Sequence, residues 1–99
     1  MLNTTTKKII ADELKKATDI SFEDVMSDVR TQEFVKARHI FFWFLYNYEQ
    51  MSYSSIGRFA NRDHTTVSSS VKKVENDGHL KKCAVVFLNN VKKRYGKIY

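Results

Sequence analysis

The sequence predicts an all-α domain of six helices, and three observations support this fold class. The chain has no proline and only three glycines among its 99 residues. Its apolar residues recur at steps of three and four, the spacing that places them on one face of a helix. Its length suits one domain with a modest core and is too short for two. We therefore expect a single domain over residues 1–99, with frayed ends at about 1–5 and 96–99.

Capping residues and the apolar pattern divide the chain into helices. Ser21, Ser52 and Asp63 each precede a helical segment with a side chain that accepts hydrogen bonds from a helix N-terminus. Gly78 is expected to end the fifth helix. The predicted helices cover about 7–17, 21–27, 33–48, 53–60, 63–76 and 80–95, and a loop covers 28–32.

The third predicted helix should form the centre of the core, because it is apolar on several faces. Phe42, Trp43 and Tyr46 should pack against the first and last helices, and Ala17 should lie on the inward face of the first helix. The main inward stripe of the third helix comprises Phe34, Ala37, Phe41, Phe44, Leu45 and Tyr48.

The net charge of +6 arises in the second half of the chain. Residues 1–50 contain seven Lys or Arg against eight Asp or Glu, a balance of −1, whereas residues 51–99 contain ten against three, a balance of +7. Such asymmetry indicates a surface that faces a polyanion. Nucleic acid is the leading candidate, and a membrane surface is the weaker one because the basic residues do not border one long apolar face.

Two short predicted helices joined by a tight turn lie in this basic half. Such a pair is typical of a helix-turn-helix, whose second helix enters the major groove of DNA with its first residues. Asn61 tolerates the positive φ angle that suits the turn. Asp63 could accept a hydrogen bond from a cytosine amino group, and the Thr65 methyl group could contact a thymine methyl group. Thr66 and Ser69, together with the helix N-terminal amides, could hold phosphates.

The residues around this motif carry a family resemblance. The segments concerned are ISFEDVM at 20–26, Arg30, VKAR at 35–38, IGRFANRDHTTV at 56–67 and VKKV at 71–74. They resemble the C-terminal origin-binding domain of the bacterial replication initiator DnaA, over about residues 5–75. The resemblance implies a Trp-repressor-like fold of six helices that binds double-stranded DNA in a sequence-specific manner.

The resemblance also implies roles for individual residues. Arg30 would enter the minor groove beside the recognition site, where a guanidinium group reads groove width and A·T content. Arg38 would bind a phosphate. The residues expected in or against the major groove are Arg62, Asp63, His64, Thr65 and Thr66. The implied target is a short, asymmetric, A·T-containing box that one domain reads from both grooves, so we expect a monomer.

The sequence departs from the family pattern in several places. Four residues separate Gly57 from Arg62 where typical initiators have five, so the turn is shorter. The neighbours of Arg30 are mostly neutral or acidic, whereas the family loop is basic. Ser69 occupies a position where the family has a histidine. The chain contains no phosphate-binding loop of the G-x-x-x-x-G-K-[ST] type, so ATP-driven assembly is not expected of it.

The sequence contains no arrangement of residues that predicts a catalytic site or a metal site. Asp63 and His64 are adjacent on a helix and point about 100° apart, so they cannot form a catalytic triad. His79 and Cys83 are too few to hold a metal, and we expect a solvated His79 and a half-buried Cys83. We therefore predict that the chain is not an enzyme and uses no cofactor.

The leading hypothesis is a regulator of replication or transcription that binds DNA. The alternative is an interaction module that kept the fold, lost strong DNA binding and now binds a replication or regulatory protein. The chain has a lone cysteine, and its longest apolar run, 40–46, is too short to span a bilayer. These features predict a soluble cytoplasmic protein. A solvated basic rim is expected from Lys72, Lys73, Lys81, Lys82, Lys92, Lys93 and Arg94.

Overall fold

Six helices follow one another along the chain. The computed structural model describes residues 4–98 and the side chains of residues 4–95. The helices are α1 (Thr4–Thr18), α2 (Phe22–Val25), α3 (Gln32–Asn47), α4 (Tyr53–Ala60), α5 (His64–Asn76) and α6 (Gly78–Ile98). No strand occurs within residues 4–98, so the predicted all-α class is confirmed.

The first and last helices extend further than predicted. α1 begins at Thr4, and α6 runs from Gly78 to Ile98, so residues 4–5 and 96–98, where fraying was expected, are helical. The expected frayed residues 1–3 and 99 lie outside the described residues.

The prediction that Gly78 ends the fifth helix is wrong. Asp77 leaves helical geometry with a φ of −119°. Its carboxylate then accepts hydrogen bonds from the backbone N–H groups of His79 at 3.1 Å and Leu80 at 3.2 Å. Because this aspartate satisfies amides at the start of α6, Gly78 begins that helix and has no positive φ.

The central helix α3 is surrounded by all five other helices. Along it, every residue from Ile40 to Leu45 is buried, including Phe42 and Trp43. Phe34 and Tyr48, at its two ends, are half-buried. Tyr46 is 39% exposed, contrary to the prediction that it packs in the core.

Helices α1 and α6 are joined by charged side chains, one of which, Arg94, was expected to be solvated. Ala17 is exposed, whereas Glu13 is buried on the inward side of α1. Arg94 pairs with Glu13 at 3.1 Å and with Asp12 at 3.5 Å. The expectation of a solvated Arg94 is therefore wrong, because a buried carboxylate is paired with it.

The helix α5 is fixed against α3 and α6 through one carboxylate. Glu75 Oε1 accepts a hydrogen bond from Trp43 Nε1 at 2.6 Å, and Glu75 Oε2 accepts one from Lys81 Nζ at 2.8 Å. These two donors, Lys81 first, lower the pKa of Glu75. The Lys81 ammonium group also lies 5.8 Å from the centre of the Trp43 ring. Lys81, expected in the solvated rim, instead helps to hold α5 in place.

The turn between α4 and α5 is built around one carbonyl group. The backbone N–H groups of Asn61 and Arg62 both donate to Gly57 O, the latter at 2.8 Å. Asn61 has the predicted left-handed conformation, with φ 55° and ψ 49°. A Cβ atom at Gly57 would lie 2.5 Å from Arg62 O. The close approach of these two backbones therefore requires glycine at position 57.

Replacing Gly57 with alanine should destabilise the protein even though alanine favours helices. The new methyl group must displace the backbone carbonyl of Arg62, an overpacking cost of about 1–3 kcal/mol. Gly78→Ala is the matched control, because a Cβ atom there meets nothing within 4 Å. That variant should be neutral or more stable by up to about 1 kcal/mol. Urea denaturation measures the free energy of unfolding of both variants. Equal stability of the two would contradict the interpretation that the turn has no room for a Cβ atom at position 57.

Candidate nucleic-acid interface

The N-terminus of α5 is organised by Asp63. Its Oδ1 atom accepts hydrogen bonds from the backbone N–H and the hydroxyl group of Thr65, each at 2.8 Å. These two bonds, the backbone one first, lower the pKa of Asp63. The predicted N-cap is thus confirmed, and the carboxylate is held in its ionised, acceptor form at the exposed start of α5.

One face of α5 is polar and open to solvent, whereas the opposite face packs in the core. Val67, Val71 and Val74 are buried on the inward face, together with Ser70. The exposed residues of the first two turns are the predicted reading and phosphate-holding residues Asp63, His64, Thr65, Thr66 and Ser69. Both side chains at the tip are open, with Asp63 65% and His64 64% exposed. The structure therefore presents these five residues together on one surface.

Arg38 is placed differently from the prediction. Its side chain is buried, with 8% of its surface exposed. Nε donates to Val25 O at 2.7 Å, and Nη2 donates to Ser27 O at 2.7 Å and Val29 O at 3.0 Å. Burial first, and then the charge of Arg62, lowers the pKa of Arg38. Arg38 therefore holds the α2–α3 loop in shape, a role that the sequence analysis missed.

Arg62 also makes its contacts inside the protein. Nη2 donates to Ser27 O at 2.6 Å, and Nη1 donates to Ala60 O at 3.1 Å. Nη1 lies 3.4 Å from Asp28 Oδ1, and the side chain is 15% exposed. The geometry does not favour the predicted contact of this side chain with the major groove, because its guanidinium group donates to backbone carbonyls inside the protein. Arg62 ties the helix-turn-helix to the α2–α3 loop.

A cleft of about 310 Å³ separates this loop from α5. Its lining includes the exposed Arg30 of the loop and the exposed Thr66 of α5. The other lining residues are Asp28, Val35, Arg38, His39, Arg62 and Ser70. The cleft therefore brings together Arg30, Arg38, Arg62 and Thr66 of the predicted site, with Ser69 outside its lining.

His39 is a member of this cleft that the sequence analysis missed. Its Nδ1 atom is buried and has no hydrogen-bond partner among the residues that the structure describes. Burial, followed by the positive charges of Lys73 on α5 and Arg38 on α3, lowers the pKa of His39. The signal in the sequence was slight, namely a histidine directly after an arginine on the helix that faces α5.

A second groove, of about 370 Å³, runs between α4 and the start of α5. Its lining residues are Ser54, Gly57, Arg58, Asn61, Arg62, Asp63 and His64. The first turns of α5 therefore line both openings, the loop cleft through Thr66 and the α4 groove through His64. Arg62 lines both.

Comparisons of the sequence with known proteins identify a family. The sequence profile described as "Bacterial dnaA protein helix-turn-helix" matches residues 7–74. The chain belongs to this family. It is also 32% identical to the chromosomal replication initiator protein DnaA of Borreliella burgdorferi strain B31 over 92 residues, which cover 88% of this chain and 18% of that protein.

Other relatives give the same result. The DnaA protein of Borrelia garinii subsp. bavariensis is 32% identical over 88% of the chain, and that of Borreliella afzelii is 35% identical over 72%. The matched region is 18% and 14% of these two initiators, so the chain spans less than one fifth of their length. The part that it matches is the DNA-binding helix-turn-helix, and double-stranded DNA is the ligand of this DnaA domain.

Two further observations concern chemistry other than DNA binding. Within residues 4–98, no helix combines the length and apolar character needed to cross a membrane. The same part of the chain holds no cluster of three His, Cys, Asp or Glu side chains suited to a metal ion. Cys83 is exposed and not half-buried as expected, because it lies on the outer side of α6.

Replacing Arg62 with alanine should lower the free energy of unfolding by about 1.5–3 kcal/mol, because hydrogen bonds from a charged donor to two partly buried carbonyls are lost. Arg58→Ala is the matched control, since Arg58 is exposed on the neighbouring helix. Its effect should remain within about 0.5 kcal/mol. Urea denaturation compares the two, and an equally small loss for Arg62→Ala would show that its internal bonds contribute nothing.

The lowered pKa of His39 predicts a pH-dependent stability. The unfolded chain binds a proton at this histidine more readily than the folded protein does, so the free energy of unfolding should fall as the pH drops through about 6.5. One such proton contributes at most about 1.4 kcal/mol per pH unit. Denaturation of the wild type and His39→Gln between about pH 7.5 and about pH 5.5 measures this slope. An identical slope in both proteins would refute the assignment to His39.

Proposed function

We propose that the chain recognises a short, asymmetric, A·T-containing duplex box of the replication-initiator type. In this proposal α5 lies in the major groove and Arg30 enters the adjacent minor groove. The observation that carries it is the open polar face of α5, whose first two turns expose five predicted contact residues beside the cleft that Arg30 lines. A single domain with contacts to both grooves suits an asymmetric site, so we propose that a monomer binds.

In this proposal the residues at the N-terminal tip of α5 contact the base edges. Asp63 uses Oδ1 for capping, so its Oδ2 atom is available as an acceptor for a cytosine amino group. The hydroxyl group of Thr65 donates to the same cap, which leaves its methyl group as the contact for a thymine methyl. His64, exposed beside them, supplies a further polar contact to a base edge.

In this proposal other exposed residues of the same helix bind phosphates. Thr66 and Ser69 are exposed hydroxyl groups one turn apart on α5 and can donate to phosphate oxygens. Arg38 contributes a fixed positive charge to the lining of the cleft, and the three loop carbonyls accept from its Nε and Nη2 atoms, not from Nη1. Such contacts hold the protein in register on the duplex, whatever the base sequence.

Selection of bound sequences from a random duplex library tests the proposal. The wild type should enrich one asymmetric box. Asp63→Asn keeps a capping oxygen but adds N–H donors, so it should lose about 1–3 kcal/mol of discrimination at one base pair. Asp19→Asn makes the same chemical change at an exposed loop position and should leave the enriched box unchanged. Equal affinity of the wild type for box and random duplex would refute sequence-specific recognition.

A second function, a protein interaction module, is favoured by two observations. Arg38 and Arg62 donate their hydrogen bonds to loop carbonyls, so fewer free cations are available to DNA than the family resemblance implies. α6 also exposes Val86, 55% accessible, and Val85, 37% accessible. A replication or regulatory protein would be the partner. Absence of salt-dependent DNA retention, together with stoichiometric capture of one such protein, would favour this function over the first.

We further propose that the chain regulates replication or transcription in the cytoplasm. The support is that its relatives are named chromosomal replication initiator proteins of bacteria. Occupation of an initiator-type box by this domain would compete with the initiator for the same site. The same competition at a box within a promoter would act on transcription.

A further inference from the structure

We propose that Arg58, on the first helix of the helix-turn-helix, contacts a phosphate of the bound duplex and supplies affinity that the α2–α3 loop lacks. This inference rests on the proposed function. It adds a binding residue on α4, an element to which no DNA contact was assigned from the sequence.

Arg58 is exposed and lines the groove between α4 and the tip of α5. Its one side-chain hydrogen bond to the side chains of residues 4–95, from Nη2 to the Ser55 hydroxyl group at 3.3 Å, is long and lies within its own helix. Among the side chains of residues 4–95, none forms an ion pair with it. Arg58 is therefore a cation whose guanidinium group is available for an external anion.

The groove places this cation where a phosphate would pass. Asp63 and His64, at the tip of the recognition helix, line the same groove as Arg58 and Ser54. Ser54 precedes Arg58 by four residues, so both lie on one face of α4. In a helix-turn-helix complex the first helix crosses the sugar-phosphate backbone while the second lies in the major groove. An arginine on that face can grip a phosphate with two parallel hydrogen bonds.

The other arginines of the site explain why this contact matters. Arg38 and Arg62 are bound to the carbonyl of Ser27, and Arg30 has Asp28 as a close neighbour in the chain. Within the described interface, Arg58 is thus a positive side chain with neither a carboxylate nor a backbone carbonyl as partner. It lines the same groove as Asp63 and His64 and is not part of the loop cleft.

The salt dependence of binding tests the inference. Arg58→Gln should reduce the slope of log Kd against log salt by about one, since one counterion fewer is released. At about 0.1 M salt this corresponds to roughly fivefold to tenfold weaker binding. The loss should be equal for the selected box and for random duplex, because a phosphate carries no sequence information. Arg58→Lys should recover most of the slope, because it restores the charge.

Lys82→Gln is the matched control, since it removes the same charge from α6. Lys82 is exposed and lines a different groove, with Ala17 of α1 and Cys83. Its slope should equal that of the wild type. Circular dichroism and urea denaturation verify that each variant is folded.

The outcomes separate the inference from the proposed function. An unchanged slope in Arg58→Gln, in a wild type that enriches a box, overturns the phosphate contact alone. An equal reduction in Lys82→Gln overturns it too, because the effect would then be one of net charge. A loss restricted to one sequence would make Arg58 a base-reading residue and overturn the phosphate assignment. Absence of any salt-dependent binding by the wild type overturns both proposals.

Discussion

The carbonyl group of Ser27 connects the two parts of the proposed DNA-binding surface, the α2–α3 loop and α5. It accepts hydrogen bonds from Arg38 Nη2 at 2.7 Å and from Arg62 Nη2 at 2.6 Å. The first arginine comes from the central helix, and the second comes from the turn of the helix-turn-helix. Because both guanidinium groups are largely removed from water, these bonds fix the distance between the α2–α3 loop and α5. The relative position of Arg30 and the recognition helix depends on this one acceptor.

Behind that surface, the core determines where α5 lies. α3 is apolar on several faces and is covered by every other helix, so its burial orders the domain. Glu75 then connects α5 to α3 and α6 through Trp43 and Lys81. A recognition helix held at both ends, by the Gly57 turn and by Glu75, loses little conformational entropy on binding, which favours specific contacts over adaptable ones.

The positive charge of the chain serves two purposes that composition cannot separate. Arg38, Arg62 and Arg94 satisfy or neutralise buried or partly buried acceptors, and Lys81 neutralises the exposed Glu75. The exposed Arg30 and Arg58 remain for an external polyanion. Because Arg62, Lys81 and Arg94 lie in the second half, its excess of +7 overstates the charge available to an external polyanion. The distribution of hydrogen bonds, and not the net charge, defines the interface.

The sequence by itself determined the six helices, the caps at Ser21, Ser52 and Asp63, and the exposed tip of α5, because periodicity and capping act over a few residues. The tertiary structure alone decided the roles of Arg38 and Arg62. Their partners are carbonyl groups of a loop up to 35 residues distant, and backbone acceptors are the same in every sequence. Contacts of that kind exist only once the chain has folded, so no local pattern reports them.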